Sequence, residues 1–259
     1  MNAFEFSVDE CQVNAWLHSG ERMRPGVVIL PGGGYGLVSD REAEPVAEHY
    51  YNAGFHTYVA RYSVGKDAVG FKPLIQIASL IARIRENSAN WFTIPDKIAV
   101  CGFSAGGHLA CSTGTLFNEK RFLEVAPDLG NIRPDAMILC YPVITADEFA
   151  HTGSIKNVSG ARQGSEEYRW FGLDTHVDKE TPPTFLWHTA NDPAVPVENS
   201  LKFSCALSAH NIPFELHIFP DGRHGMSVCT RKVNSESEYV GRWVDLSIRW
   251  LKQLFDFSG

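Results

Sequence analysis

Short, nearly uninterrupted apolar runs recur along this chain, each followed by a stretch with helical spacing, and that alternation restricts the fold more than any other feature. Val27-Val28-Ile29-Leu30, Phe55 to Ala60, Ile98 to Cys101, Ala136 to Cys140, Thr184 to Trp187 and Phe214 to Phe219 read as strands. A strand without polar alternation buries both of its faces, which requires a largely parallel sheet with helices on each side. Between the runs, Leu74, Ile77, Leu80, Ile81 and Ile84 form one helical stripe, and Leu201, Cys205, Ala206 and Leu207 suggest another. A further helix is expected to start near Pro45 and stop at Gly54. Ser235 and Glu238 have capping-box spacing ahead of a closing helix through Val240, Trp243, Leu246 and Leu254. Phe4 to Val8 and Val13 to His18 alternate as an edge hairpin would. The class is therefore α/β, with a mostly parallel central sheet of about eight strands flanked by helices.

The 259 residues contain no repeat or linker, so the expectation is a single domain over 1–259. The stretch from about 145 to 181 lacks a clear period and reads as an insertion after a strand; loops this long in compact proteins are usually functional. Net charge is −7 without a run of Lys and Arg, which argues against a nucleic-acid partner. No stretch is long and apolar enough to suggest a membrane span, and the N-terminus has no signal-peptide pattern, so a cytoplasmic protein is expected. A homodimer is left open. The six cysteines are scattered without Cys-x-x-Cys spacing and read as buried free thiols.

Gly102-Phe103-Ser104-Ala105-Gly106 follows the Ile98 to Cys101 run and precedes a helix-compatible stretch. A strand, a tight turn and a helix form the context in which a serine nucleophile is held clear of a sheet. The backbone there is strained, and small neighbours leave room for it. Ala105 then presents its N–H at a helix start, where partial positive charge favours an oxyanion.

Pro31-Gly32-Gly33-Gly34-Tyr35-Gly36 directly follows another strand. A dinucleotide fingerprint fails, because the last position of Gly-x-Gly-x-x-Gly is Leu37 counted from Gly32 and Ser39 counted from Gly34. No Gly-Lys-Ser/Thr is present to make a phosphate loop. An oxyanion hole fits better, with the amides of Gly33 and Gly34 joining that of Ala105.

A serine of this type takes its acid and then its histidine from loops after later strands. Asp192 follows the Thr184 to His188 run, and His224 follows the Phe214 to Phe219 run. His224 would accept the Ser104 proton, and Asp192 would fix its tautomer. Asp221 and Glu198 are fallback acids. His108 points away from the hydroxyl's open side on a helix starting at Ser104 and reads as structural, and His188 reads as a half-buried histidine near Asp192. His188, Asp192, His217 and His224 match no zinc spacing, so no metal is expected.

Taken together, the chain resembles the α/β-hydrolase superfamily, and more narrowly its small esterases related to acetyl-xylan esterases and the hormone-sensitive-lipase group. The resemblance rests on Pro31 to Tyr35 with Ser39, Arg41, Glu42, Glu44 and Pro45, on Arg61-Tyr62-Ser63-Val64, and on Gly102 to His108. It continues in Trp187-His188-Thr189-Ala190-x-Asp192-x-x-Val195-Pro196 and in His224-Gly225. The hormone-sensitive-lipase group has His before its glycines where this chain has Pro31, which favours the branch resembling intracellular sugar-ester deacetylases. That branch implies hydrolysis of short acyl esters of sugars through an acyl-enzyme, with no cofactor and a small-molecule ester as partner. It also implies a small cap in the 145–181 insertion, and Tyr35, Tyr62, Trp170, Phe171 and Val195 as substrate contacts.

Two other readings use the same residues. The same machinery cleaves formamides and amides, so an arylformamidase or small peptidase is an alternative. A ligand-binding protein on a hydrolase scaffold belongs to another class, since fold does not fix function.

Overall fold

The computed structural model describes residues 2–259. Its centre is an eight-stranded sheet in the order β1-β2-β4-β3-β5-β6-β7-β8. The strands are β1 (Asn2–Val8), β2 (Cys11–Leu17), β3 (Arg24–Leu30), β4 (His56–Arg61), β5 (Thr93–Phe103), β6 (Ala136–Cys140), β7 (Thr184–Thr189) and β8 (Phe214–Phe219). The pairs β1/β2 and β2/β4 are antiparallel, and every pair from β4 to β8 is parallel. This is the α/β-hydrolase arrangement, and the expected edge hairpin is β1 and β2.

The apolar runs are continuous because each strand feeds two cores. Val28 and Leu30 pack on one face with Tyr58, Val100 and Leu139, while Val27 and Ile29 pack on the other with Val59, Ala99 and Cys101. The first core is covered by α2 (Lys72–Glu86) and α5 (Glu198–Ala209), and the second by α1 (Glu44–Asn52) and α6 (Glu238–Leu254). The helix α3 (Ala105–Thr115) has every residue buried, which explains why its sequence shows no polar face.

Helix α1 carries Pro45 in its first turn and is followed by Gly54 at φ 105°, as the turn signals imply. The cap of α6 differs from expectation. Ser237, not Ser235, accepts the Val240 amide at 3.3 Å, and the Ser235 hydroxyl is buried without a partner. Glu238 is then the first helical residue, where its charge suits the helix dipole rather than completing a capping box.

Between β6 and β7 the chain forms α4 (Thr152–Ser159) and two shorter helical segments, Glu166–Trp170 and Leu173–Thr175. The parallel strands from β3 to β8 end on one edge of the sheet, and the loops leaving that edge carry Gly33, Ser104, His151, Asp192 and His224. No helix among the described residues is long and apolar enough to cross a membrane.

Candidate active site

Ser104 sits between β5 and α3 at φ 53° and ψ −116°, a conformation that L residues rarely adopt. Two glycines make this turn sterically feasible. A Cβ at Gly102 would overlap the Gly106 carbonyl, and one at Gly106 would overlap the carbonyls of Leu30 and Pro31. The turn is pinned by Ser104 N–H donating to Cys140 O at 3.0 Å, and by the His108 and Val143 amides donating to Ser104 O, each at 3.0 Å. The side chain is therefore held at the sheet edge, on a residue only 7% exposed.

His224 Nε2 lies 2.8 Å from Ser104 Oγ, and His224 Nδ1 lies 2.7 Å from Asp192 Oδ2. Three residues separated by 88 and 32 positions (192 − 104 and 224 − 192) thus meet in one hydrogen-bonded line. The other carboxylate oxygen, Asp192 Oδ1, accepts the Ala194 and Val195 amides at 2.8 and 3.0 Å. Burial pushes the Asp192 pKa up, but bonding to His188 and His224, the charge of His224 and the Val195 amide outweigh it. The carboxyl is held below the usual range and stays ionised. His188 Nε2 is 3.5 Å from Asp192 Oδ2 but only 3.0 Å from Val195 O, and its Nδ1 faces Ser200 Oγ at 2.8 Å. Its Nε2 is nearer the Val195 carbonyl than the carboxylate, so it braces the acid loop. The fallback acids lie elsewhere: Asp221 pairs with Asn191, and Glu198 opens α5.

Gly33 (φ 134°) and Gly34 (φ 65°) line the cavity in front of Ser104, and Ala105 is the first residue of α3. Among the described residues the amides of Gly33, Gly34 and Ala105 have no protein acceptor, whereas that of Gly32 is taken by Glu42 Oε2 at 2.8 Å. The Gly34 peptide is held by Asn157 of α4, whose Nδ2 donates to Gly34 O at 2.8 Å.

The cavity has a volume of about 310 Å³ and is lined by Gly33, Gly34, Leu37, Ser39, Arg41, Glu42, Ser104, His151, His224 and Gly225. None of the five expected substrate contacts is among them. Tyr35 and Tyr62 are buried, their hydroxyls bonded to His108 Nδ1 at 2.8 Å and to Pro31 O at 2.5 Å, so both tie down the glycine loop. His108 is structural, as expected. Its Nε2 meets Phe171 O at 2.9 Å, and burial pushes its pKa down to about 4. Trp170 and Phe171 pack against Phe71, fastening the insertion to the domain, and Val195 is fully buried. The insertion does reach the cavity, through His151 rather than through its aromatics.

Arg41 and Glu42 have a structural task that sequence reading does not assign. Glu42 is 3% exposed; besides Gly32 it accepts the Tyr141 hydroxyl, at 2.6 Å to Oε1. The Tyr141 oxygen accepts the Ser227 amide at 3.0 Å, and its ring meets that of His224 edge-on at 5.0 Å. Arg41 donates to Gly225 O at 2.8 Å and Val233 O at 3.1 Å. The glycine loop and the histidine loop are joined through these groups. A larger groove of about 580 Å³, lined by Glu10, Phe71, Ile75 and Val125, contains none of these residues. Among the described residues no group of His, Cys, Asp or Glu is arranged to hold a metal ion.

The profile of the BD-FAE family matches residues 17–207, which is most of the chain. The chain belongs to the BD-FAE family. It is 36% identical over 234 residues to endo-1,4-beta-xylanase B of Butyrivibrio fibrisolvens, covering 88% of this chain and 36% of that one. With an acetylxylan esterase of Xylanibacter ruminicola it shares 27% identity over 216 residues, covering 79% of this chain and 41% of that one. The chain thus spans well under half the length of these curated relatives. Among solved structures, an acetyl ester-xyloside bifunctional hydrolase from Caldicellulosiruptor lactoaceticus superposes with a TM-score of 0.84 at 36% identity, over 95% of this chain and 89% of that one.

Proposed function

We propose that this BD-FAE member is a serine carboxylic-ester hydrolase that removes acetyl groups from sugars or short xylo-oligosaccharides. The observation that carries the reading is the line from Ser104 Oγ through His224 to Asp192, with contacts of 2.8 and 2.7 Å. Ser104 Oγ attacks the ester carbonyl as His224 Nε2 takes its proton, and Asp192 stabilises the imidazolium. The unpartnered amides of Gly33, Gly34 and Ala105 receive the charge that develops on the carbonyl oxygen. One such donor contributes about 3–4 kcal/mol to the transition state. His224 then protonates the departing alcohol, the acetyl group stays on Ser104, and water activated by the same imidazole releases acetate. These steps use no metal or cofactor.

A sugar alcohol suits a cavity whose lining includes Ser39, Arg41 and His151. The acetylxylan esterase and the acetyl ester-xyloside hydrolase among the relatives support acetylated xylose units in particular. The cysteines are all free, which fits the reducing cytoplasm. Replacing Ser104→Ala is expected to abolish p-nitrophenyl acetate turnover; activity equal to wild type would refute the assignment.

A further inference from the structure

His151 enters the cavity from the insertion, at the start of α4, and its ring is fixed from one side only. The Ser154 amide donates to His151 Nδ1 at 3.3 Å, and the Ser154 hydroxyl lies 2.8 Å from the same nitrogen. A backbone N–H can only donate, so Nδ1 must be the bare nitrogen and the proton of the neutral ring resides on Nε2. Burial lowers the His151 pKa, as does the nearby charge of His224, while Asp192 raises it; the net shift is downward and favours the neutral ring. Nε2 has no protein partner among the described residues, and His151 lines the cavity together with Ser104 and His224. It therefore offers a single N–H donor of settled tautomer to whatever occupies the site.

The side of the cavity matters. His224 must deliver its proton to the leaving oxygen, so the alcohol part of an ester lies beside His224, with the acyl carbonyl toward Gly33 and Gly34. An acetyl group has no acceptor besides the carbonyl oxygen that those amides take, so a further N–H donor lining the cavity finds its acceptor on the alcohol part of the ester.

We infer that His151 is a specificity-determining residue, whose Nε2–H donates to a hydroxyl neighbouring the ester on a polyhydroxylated alcohol such as a sugar. This deepens the esterase reading and rests on it. An ester without such a hydroxyl makes no use of the donor, whereas a sugar ester does.

The test compares kcat/KM on acetylated xylo-oligosaccharide and on p-nitrophenyl acetate, because kcat/KM reports the steps in which the alcohol is still attached. The informative variant is His151→Asn. Asn is a favourable N-cap, so its carbonyl can still accept the Ser154 amide, but it lacks the reach of Nε2–H. The expected result is a loss of about tenfold to a hundredfold on the sugar ester, from one hydrogen bond removed, with less than about threefold on p-nitrophenyl acetate. His151→Phe should show the same selectivity, together with a lower Tm from loss of the cap. Equal losses on both esters, or no loss on either, overturn the assignment. If p-nitrophenyl acetate turnover survives Ser104→Ala, the esterase reading itself fails and this one falls with it.

Discussion

Asp192→Asn isolates the part of the site that sets the histidine tautomer. In the native protein one carboxylate oxygen accepts the Ala194 and Val195 amides at 2.8 and 3.0 Å, and the other faces His224 Nδ1 at 2.7 Å. An asparagine has one acceptor oxygen, and the two backbone amides claim it because they can only donate. Its NH2 group must then point at His224 Nδ1 and donate to it. Nδ1 becomes the bare nitrogen, the proton moves to Nε2, and the group 2.8 Å from Ser104 Oγ can no longer accept a proton. The geometry is otherwise unchanged, since Asn and Asp have the same shape. The expected loss in kcat is on the order of ten-thousandfold, as for wrong-tautomer substitutions in other serine hydrolases. That corresponds to about 5.4 kcal/mol of transition-state stabilisation. The assay is steady-state hydrolysis of p-nitrophenyl acetate, with thermal unfolding run alongside to establish that the variant is folded. A folded variant that retains more than about a tenth of wild-type kcat would refute the tautomer argument.

The same carboxylate predicts a pH effect. Its pKa is depressed in the folded state, so its stabilising contribution is complete above the unfolded value of about 3.9 and is lost as pH falls below it. The Tm of wild type should therefore decline more steeply than that of Asp192→Asn below about pH 4, and parallel declines in the two proteins would contradict this. Tyr141→Phe removes the donor to Glu42 and the acceptor of the Ser227 amide, both buried. Chemical denaturation should show a loss of about 1–3 kcal/mol, with kcat falling because the histidine loop loses one of its links to the glycine loop while those through Arg41 remain. An unchanged kcat would mean that the loops keep their spacing without that link.

Much of this was legible from sequence because the constraints are local. Gly102 is needed for its close approach to Gly106, a reason contained within five residues, although Gly106 itself makes room for Leu30 and Pro31 at the end of another strand; two-sided burial leaves an unbroken apolar run in each central strand. The order serine, acid, histidine follows from strand order. What was not legible depends on partners distant in the chain. Tyr35 next to three glycines looks like a ligand contact, yet its hydroxyl is bonded to His108, 73 residues away. Arg41 and Glu42 stand in a charged stretch that resembles a solvated surface, but their partners are at Gly225, Val233, Gly32 and Tyr141. Trp170 and Phe171 were the most prominent residues of the insertion by size, and size is what fastens it down; the less conspicuous His151 is the one that reaches the cavity. Ser235 has the capping-box spacing to Glu238 and Ser237 does not, yet Ser237 is the cap, a choice made only in the folded chain.

The central claim is that the hydroxyl of Ser104 is a nucleophile activated by His224. Reaction with a fluorophosphonate, read by intact mass and peptide mapping, tests it most directly. Wild type should gain one adduct per chain, located on Ser104, while His224→Ala should label at least about a hundredfold more slowly. Labelling at another residue, or at the same rate in both proteins, would contradict the account.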